Sequence, residues 1–155
     1  MKTTVTFYGK AFTAVISALF VGLVAVAFAQ VLFRYVIGYS LYWSEETARY
    51  LFVWISFLGA VAALERGAHI GVEVLVEKLP RNIRRYVILF SNISVGLFLL
   101  FLTVKGLKMV ADNMIQRSPA LRVPMGLVYL AIPVGAVLMG IHVFFQILRQ
   151  LRVQA

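Results

Sequence analysis

The segment from Ala11 to Phe33 reads AFTAVISALFVGLVAVAFAQVLF and decides the fold, because its 23 residues include no Asp, Glu, Lys or Arg. As an α-helix this segment is roughly 34 Å long, enough to cross a hydrocarbon core of about 30 Å. Ala27-Phe28-Ala29 resembles a signal-peptide cleavage site, but the apolar run exceeds the roughly 7–15 residues of a signal-peptide core. The sequence therefore predicts a retained membrane-spanning helix.

The rest of the 155-residue chain has the same apolar character. It is 62% hydrophobic, 14% charged and free of cysteine, and its mean hydropathy is +0.92. Three further runs, at 50–64, 86–104 and 123–148, also lack charged residues, as expected where hydrocarbon makes ions costly. The net charge of +9 is therefore attributed to the flanks of membrane spans, with the lipid bilayer as a partner. No basic, aromatic-rich face outside the spans indicates binding to nucleic acid.

The second run is too short to span a membrane alone, so its helix must begin earlier. Ser44 is the predicted N-cap, and Glu45 and Glu46 fall in the first turn, where the helix dipole favours anions. Between the second and third runs, apolar residues at helical spacing over 72–79 predict a short amphipathic helix at the membrane surface. We predict an all-α membrane protein with four transmembrane helices and this short interfacial helix. The single domain covers residues 1–155, with spans at about 11–33, 45–64, 86–106 and 125–148.

The distribution of basic residues predicts the orientation of these spans. The two termini and the connection from Glu65 to Arg85 carry nine Lys and Arg, against six in the connections on the opposite side. Because cytoplasmic segments carry the excess of basic residues, both termini are predicted to be cytoplasmic.

Candidates for chemistry are few. His69 and Glu73 are four residues apart, but two ligands leave a zinc site one or two short, so no metal is predicted. His142 lies in the fourth run and could pair with His69 to hold a haem, as in membrane anchors of oxidoreductases. That alternative stays open, as does a small homodimeric exporter. The four apolar runs contain no Asp, Glu, Lys or Arg as an obvious proton carrier, which disfavours autonomous transport. Neither a catalytic residue nor a cofactor is predicted.

Other residues indicate packing. Ala14, Ala18 and Gly22 recur at intervals of four, which gives the first helix a face that another helix can approach closely. Ser118-Pro119 ends regular structure before the fourth span, and Pro133 inside that span removes a backbone donor and permits a kink.

Seven short strings, taken in order, carry a resemblance to a known family. They are Leu32-Phe33-Arg34-Tyr35, Trp43-Ser44-Glu45-Glu46-Thr47-Ala48-Arg49, Phe57-Leu58-Gly59-Ala60, Gly67-Ala68-His69-Ile70, Ser118-Pro119-Ala120-Leu121-Arg122-Val123-Pro124, Val128-Tyr129 and Ile132-Pro133-Val134-Gly135. These strings resemble the small membrane subunit, the DctQ-like family, of tripartite ATP-independent periplasmic (TRAP) transporters. The match extends from about Leu32 to Met139, and the order of the strings makes it fairly specific.

The resemblance implies an accessory subunit in the bacterial inner membrane. Such a subunit works with a large permease subunit and a periplasmic substrate-binding protein, which together import organic acids, usually with sodium. The family places substrate and sodium sites in the large subunit, so no substrate-binding residue is expected here. Glu73 stands where many relatives are expected to carry Asp. The candidate partner-interface or structural residues are Ala14, Ala18, Gly22, Arg34, Trp43, Glu45, Glu46, Arg49, His69, Glu73, Ser118, Pro124, Tyr129 and Pro133.

Overall fold

The computed structural model describes residues 7–65 and 80–152, and these residues are predominantly helical. Four apolar helical stretches are long enough to cross a membrane: Gly9–Ile37, Ser44–Glu65, Tyr86–Asp112 and Met125–Gln150. The prediction of an all-α protein with four transmembrane helices is therefore confirmed. The amphipathic helix predicted over 72–79 lies outside the described residues. The α-helices are α1 (Phe7–Leu32), α2 (Ser44–Glu65), α3 (Arg81–Asp112), α4 (Met125–Tyr129) and α5 (Ala131–Arg152).

The turn between α1 and α2 is closed by a glycine. A π-helical turn, Phe33–Ile37, follows α1, and Gly38 ends it with φ of 73° while its N–H donates to the Phe33 carbonyl. Glycine adopts this left-handed conformation at little steric cost. The chain then enters α2, where Ser44 differs from its predicted capping role: its hydroxyl donates 2.7 Å to the Leu41 carbonyl instead of accepting a helix N–H.

The long helices do not pack in chain order. Helix α1 packs against α2, α2 packs against α5, and α5 packs against α3, whereas α2 and α3 make no close backbone contact within the described ranges. The last span thus lies between the second and the third. Because α2 and α5 begin on the same side of the fold, these two neighbours run in the same direction.

Two glycines lie where neighbouring segments approach closely. A Cβ added at Gly135 of α5 would lie 3.0 Å from Phe57 Cβ of α2, and one added at Gly126 of α4 would lie 2.7 Å from Met114 Sδ. The main buried cluster joins α3 to α5 through Leu99, Ala136 and Val143. Small residues therefore allow these helices to pack closely, as is common in membranes.

The fourth span is interrupted near its start, between α4 and α5. Pro133 has no N–H, so the carbonyl of Tyr129 lacks the helical donor that it would receive four residues later. The interruption at Leu130 agrees with the expected effect of Pro133. The proline ring also packs against α3, since a Cβ added at Gly106 would lie 3.1 Å from Pro133 Cδ.

Candidate functional site

The alternating helices give the molecule two polar ends. We call the end that carries the α1–α2 turn, the start of α2 and residues 113–124 the loop face. The opposite end carries the beginning of α1, the end of α2, the beginning of α3 and the end of α5, and we call it the terminal face.

A buried carboxylate organises the loop face. Glu46, in the first turn of α2, is 8% exposed. Its Oε2 accepts main-chain N–H groups from Ala120 at 2.9 Å and from Leu121 at 2.8 Å. Charge-assisted bonds of this kind are stronger than neutral ones. Glu46 therefore ties the loop between α3 and α4 to the start of α2.

Tyr50 completes the surroundings of this carboxylate. It lies four residues after Glu46, on the same face of α2, and its hydroxyl donates to Glu46 Oε1. The hydroxyl oxygen of Tyr50 also lies 3.2 Å from Met125 Sδ at the start of α4. One helical face of α2 thus contacts both the loop and the helix that follows it.

The loop itself is held by its own backbone. The Ser118 N–H donates 2.9 Å to the Val123 carbonyl, and the Val123 N–H donates 3.1 Å to the buried Ser118 hydroxyl. Arg122 lies within this turn and has φ of 58°, which is uncommon for a residue with a side chain. The turn presents the N–H groups of Ala120 and Leu121 to Glu46, so Ser118 and Glu46 hold the same turn from two sides.

The structure gives different surroundings to candidate residues that are close together in the sequence. Glu46 lies in the first turn of α2, as the sequence predicts, but the loop between α3 and α4 covers it. Glu45 is exposed and accepts a bond from Gln30 Nε2 of α1 at 3.3 Å. Arg49 is exposed and Trp43 is half-buried. Of the two glutamates, Glu45 is thus the one that a partner can reach.

The outer surface of the loop face combines exposed cations with exposed apolar side chains, among which Ile115 has the largest exposed fraction. Ile115 is 91% exposed, and the nearby arginines Arg117 and Arg122 are exposed as well. Arg34 and Arg49 are exposed on the α1–α2 side of this face. An exposed apolar residue among cations suits contact with an acidic protein surface better than catalysis.

The remaining sequence candidates are distributed through the fold. Pro124 and Tyr129 are half-buried at the two ends of α4, and Pro133 is buried. Ala14 and Ala18 are exposed on α1, whereas a Cβ at Gly22 would lie 3.9 Å from Leu51 Cδ1 of α2. The small-residue face is therefore in contact with α2 at Gly22 and open at the two alanines. His69 and Glu73 lie outside the described residues.

The terminal face contains a cavity that sequence reasoning missed. It has a volume of about 340 Å³, and Glu65 of α2 and His142 of α5 both line it. Within the described ranges, no three His, Asp or Glu side chains are grouped as metal ligands would be. The haem alternative requires His69, which the structure does not describe. Sequence reasoning also missed Tyr50, although its spacing of four from Glu46 was available as a signal.

Comparison with known proteins identifies a family that this chain matches. Residues 23–153 match the family described as tripartite ATP-independent periplasmic transporters, DctQ component. The chain is 37% identical over 117 residues to the C4-dicarboxylate TRAP transporter small permease protein DctQ of Rhodobacter capsulatus, covering 74% of this chain and 52% of that protein. It is 29% identical over 144 residues to the isethionate TRAP transporter permease protein DctMQ of Oleidesulfovibrio alaskensis, covering 85% of this chain and 22% of that protein.

The name of a third relative refers to a different solute. The ectoine TRAP transporter small permease protein TeaB of Halomonas elongata is 30% identical over 125 residues, covering 79% of this chain and 65% of that protein. The chain spans about half the length of the Rhodobacter relative and about a fifth of the Oleidesulfovibrio relative.

Proposed function

This chain belongs to the DctQ component family of the tripartite ATP-independent periplasmic transporters, and from that premise we propose that it is the small accessory subunit of a sodium-coupled importer of organic acids. Membership makes it a transporter component and not an enzyme, and with its four apolar helices it is a multi-pass protein of the bacterial inner membrane. In the proposed assembly, a large permease subunit carries substrate and sodium, and a periplasmic substrate-binding protein delivers the substrate.

The scaffold role rests on one observation: the buried carboxylate of Glu46 binds only groups of its own chain among the described residues. Glu46 is the buried ionisable side chain among the described residues, and its two oxygens accept bonds from a loop and a tyrosine of the same chain. A carboxylate that coupled transport to an ion would have to exchange partners during the cycle. Glu46 instead supports a fixed arrangement of helices and loop.

The exposed surfaces of the outer helices favour contact with a large membrane partner. Many apolar side chains of the edge helices α1 and α3 are exposed, including Val21, Phe28, Phe90 and Leu97. The Oleidesulfovibrio relative, named a permease protein, contains the matched region as 22% of its own length. We infer that the rest of that polypeptide corresponds to the large subunit, and Ala14 and Ala18 of α1 are candidates for contact with such a subunit.

The named relatives also support placing substrate choice elsewhere. Their names refer to C4-dicarboxylate, isethionate and ectoine, which differ in charge and shape. A subunit that is similar in all three is better suited to holding a transporter than to selecting its solute. The substrate is therefore assigned to the partners.

We further propose that both termini are cytoplasmic, so that the loop face is periplasmic. In this orientation Ile115, Arg117 and Arg122 point toward the compartment of the substrate-binding protein. Glu45 and Arg49 lie on the same face and complete the candidate docking surface. Trp43, half-buried beside them, supports the start of α2.

Reconstitution tests the scaffold role. Proteoliposomes containing the large subunit, with or without this chain, are supplied with the binding protein, labelled substrate and an inward sodium gradient. Uptake is expected with all three components and not with this chain and the binding protein alone. Uptake by this chain without the large subunit would contradict the proposal, and so would full uptake by the other components in its absence.

A further inference from the structure

The cavity at the terminal face combines an apolar interior with two polar groups. Helices α1, α2 and α5 form its walls, and its volume is about 340 Å³. Phe12, Val61, Leu138 and Phe145 supply apolar surface, whereas Glu65 and His142 supply the polar groups. A ligand that fits this lining must itself be amphiphilic.

The polar groups lie at the depth of lipid headgroups. Glu65 and Glu45 stand at opposite ends of α2, 20 residues apart, which corresponds to roughly 30 Å along a helix. This distance matches the thickness of a hydrocarbon core of about 30 Å. If Glu45 marks the polar boundary at the loop face, Glu65 marks the boundary at the terminal face. The cavity therefore opens where a phospholipid changes from acyl chain to headgroup.

Within the lining of the cavity, the carboxylate of Glu65 favours a cation. Glu65 is exposed and lines the cavity, so its carboxylate is accessible to a cationic group of a ligand. Phe12 and Phe145 line the same cavity, and aromatic faces attract ammonium groups. The carboxylate and the aromatic rings that line the cavity thus point to a positively charged group on the ligand.

Helix α5 also carries a cation, Arg149, that could bind the phosphate of a lipid headgroup. Arg149 lies seven residues after His142, so both side chains emerge on the same face of the helix, and Arg149 is exposed. This placement offers a guanidinium beyond the cavity mouth, on the headgroup side. Guanidinium groups bind phosphate well.

We propose that this cavity is a binding site for a phospholipid with a primary ammonium headgroup, as in phosphatidylethanolamine. Glu65 binds the ammonium, Arg149 and His142 face the phosphate, and Leu138 and Val61 contact the upper acyl chain. The site is independent of the transport partners, since all its residues belong to this chain. It would bind lipid whether or not the scaffold role holds.

Native mass spectrometry of the purified full chain tests the site. The protein is released from detergent micelles doped with equal amounts of phosphatidylethanolamine, phosphatidylcholine and phosphatidylglycerol, and retained lipids are counted. Phosphatidylethanolamine is expected to be retained preferentially, because three methyl groups remove the N–H donors in phosphatidylcholine and phosphatidylglycerol has no ammonium. Glu65→Gln is expected to weaken this preference by roughly tenfold, the equivalent of one charged hydrogen bond.

Asp112→Asn is the matched control, because it removes an exposed carboxylate from the end of α3 on the loop face. It is expected to leave lipid preference unchanged. Equal retention of the three lipids by the unaltered chain would overturn the proposal without any variant having to fold. An unchanged preference in Glu65→Gln would also overturn it, and so would an equal loss in Asp112→Asn.

Discussion

Glu46 Oε2 accepts the main-chain N–H of Leu121 at 2.8 Å, across a separation of 75 residues. The bond joins the first turn of the second span to the loop before the fourth. Since the same oxygen also accepts the N–H of Ala120, two backbone donors in this loop depend on one carboxylate. Without it, these donors would need water or another acceptor.

Replacing Glu46 is therefore expected to destabilise the chain. Glu46→Gln keeps the shape of the side chain but exchanges charge-assisted bonds for neutral ones, which should cost about 1–3 kcal/mol. The apparent melting temperature of the detergent-solubilised chain should fall accordingly. Glu45→Gln is the matched control, because Glu45 is the exposed neighbour, and it should change stability by less than about 0.5 kcal/mol. Equal shifts in the two variants would contradict the assigned role.

Tyr50→Phe should act through the same carboxylate. It removes the hydroxyl that donates to Glu46 and lies beside Met125, at an expected cost of about 1 kcal/mol. In a double-mutant cycle with Glu46→Gln, the two losses should be less than additive, because Tyr50→Phe removes the bond that Glu46→Gln weakens. Strictly additive losses would show that the tyrosine and the carboxylate stabilise the fold independently.

Gly126 should not tolerate a side chain. A Cβ at this position would lie 2.7 Å from both Met114 Sδ and the Val110 carbonyl oxygen, so Gly126→Ala should displace α4 from α3 at a cost of about 1–3 kcal/mol. Gly140→Ala is the control, since nothing lies within 4 Å of its added Cβ. That variant should be neutral or slightly stabilising, because alanine favours helix. Comparable yields and melting temperatures for both variants would argue against close packing at Gly126.

The orientation can be tested in this cysteine-free chain. Ile115→Cys places a thiol at the 91% exposed tip of the loop face, and Arg84→Cys places one on the terminal side of α3. A membrane-impermeant maleimide should label the first in intact cells with a permeabilised outer membrane, and the second after the inner membrane is opened. The reverse pattern would place both termini in the periplasm.

The membrane spans could be predicted from the sequence because the absence of charge that marks each span is a local property. Charge is excluded from hydrocarbon, so residues 11–33 mark a membrane helix without knowledge of any neighbour. Pro133 likewise marked the weak point of the fourth span, because the missing N–H is a property of the residue itself.

The burial of Glu46 could not be predicted in the same way. A glutamate in a first helical turn is ordinarily solvated, and its burial depends on a turn that begins more than 70 residues later in the chain. The cavity shared by Glu65 and His142 depends on α2 and α5 packing side by side, and no periodicity within either helix specifies that contact. Long-range pairing thus determines the polar sites, whereas local composition determines the spans.

The placement of α5 between α2 and α3 has a consequence for biogenesis. Helix α3 leaves the ribosome before its packing partner exists, and the loop that covers Glu46 is made before the helix that anchors its far end. Helix α3 must therefore remain loosely associated with the pair formed by α1 and α2 until the last span inserts between α2 and α3. A nascent chain arrested before Met125 should accordingly present α3 as a separate helix to the membrane quality-control proteases, and assembly becomes committed when the final span enters.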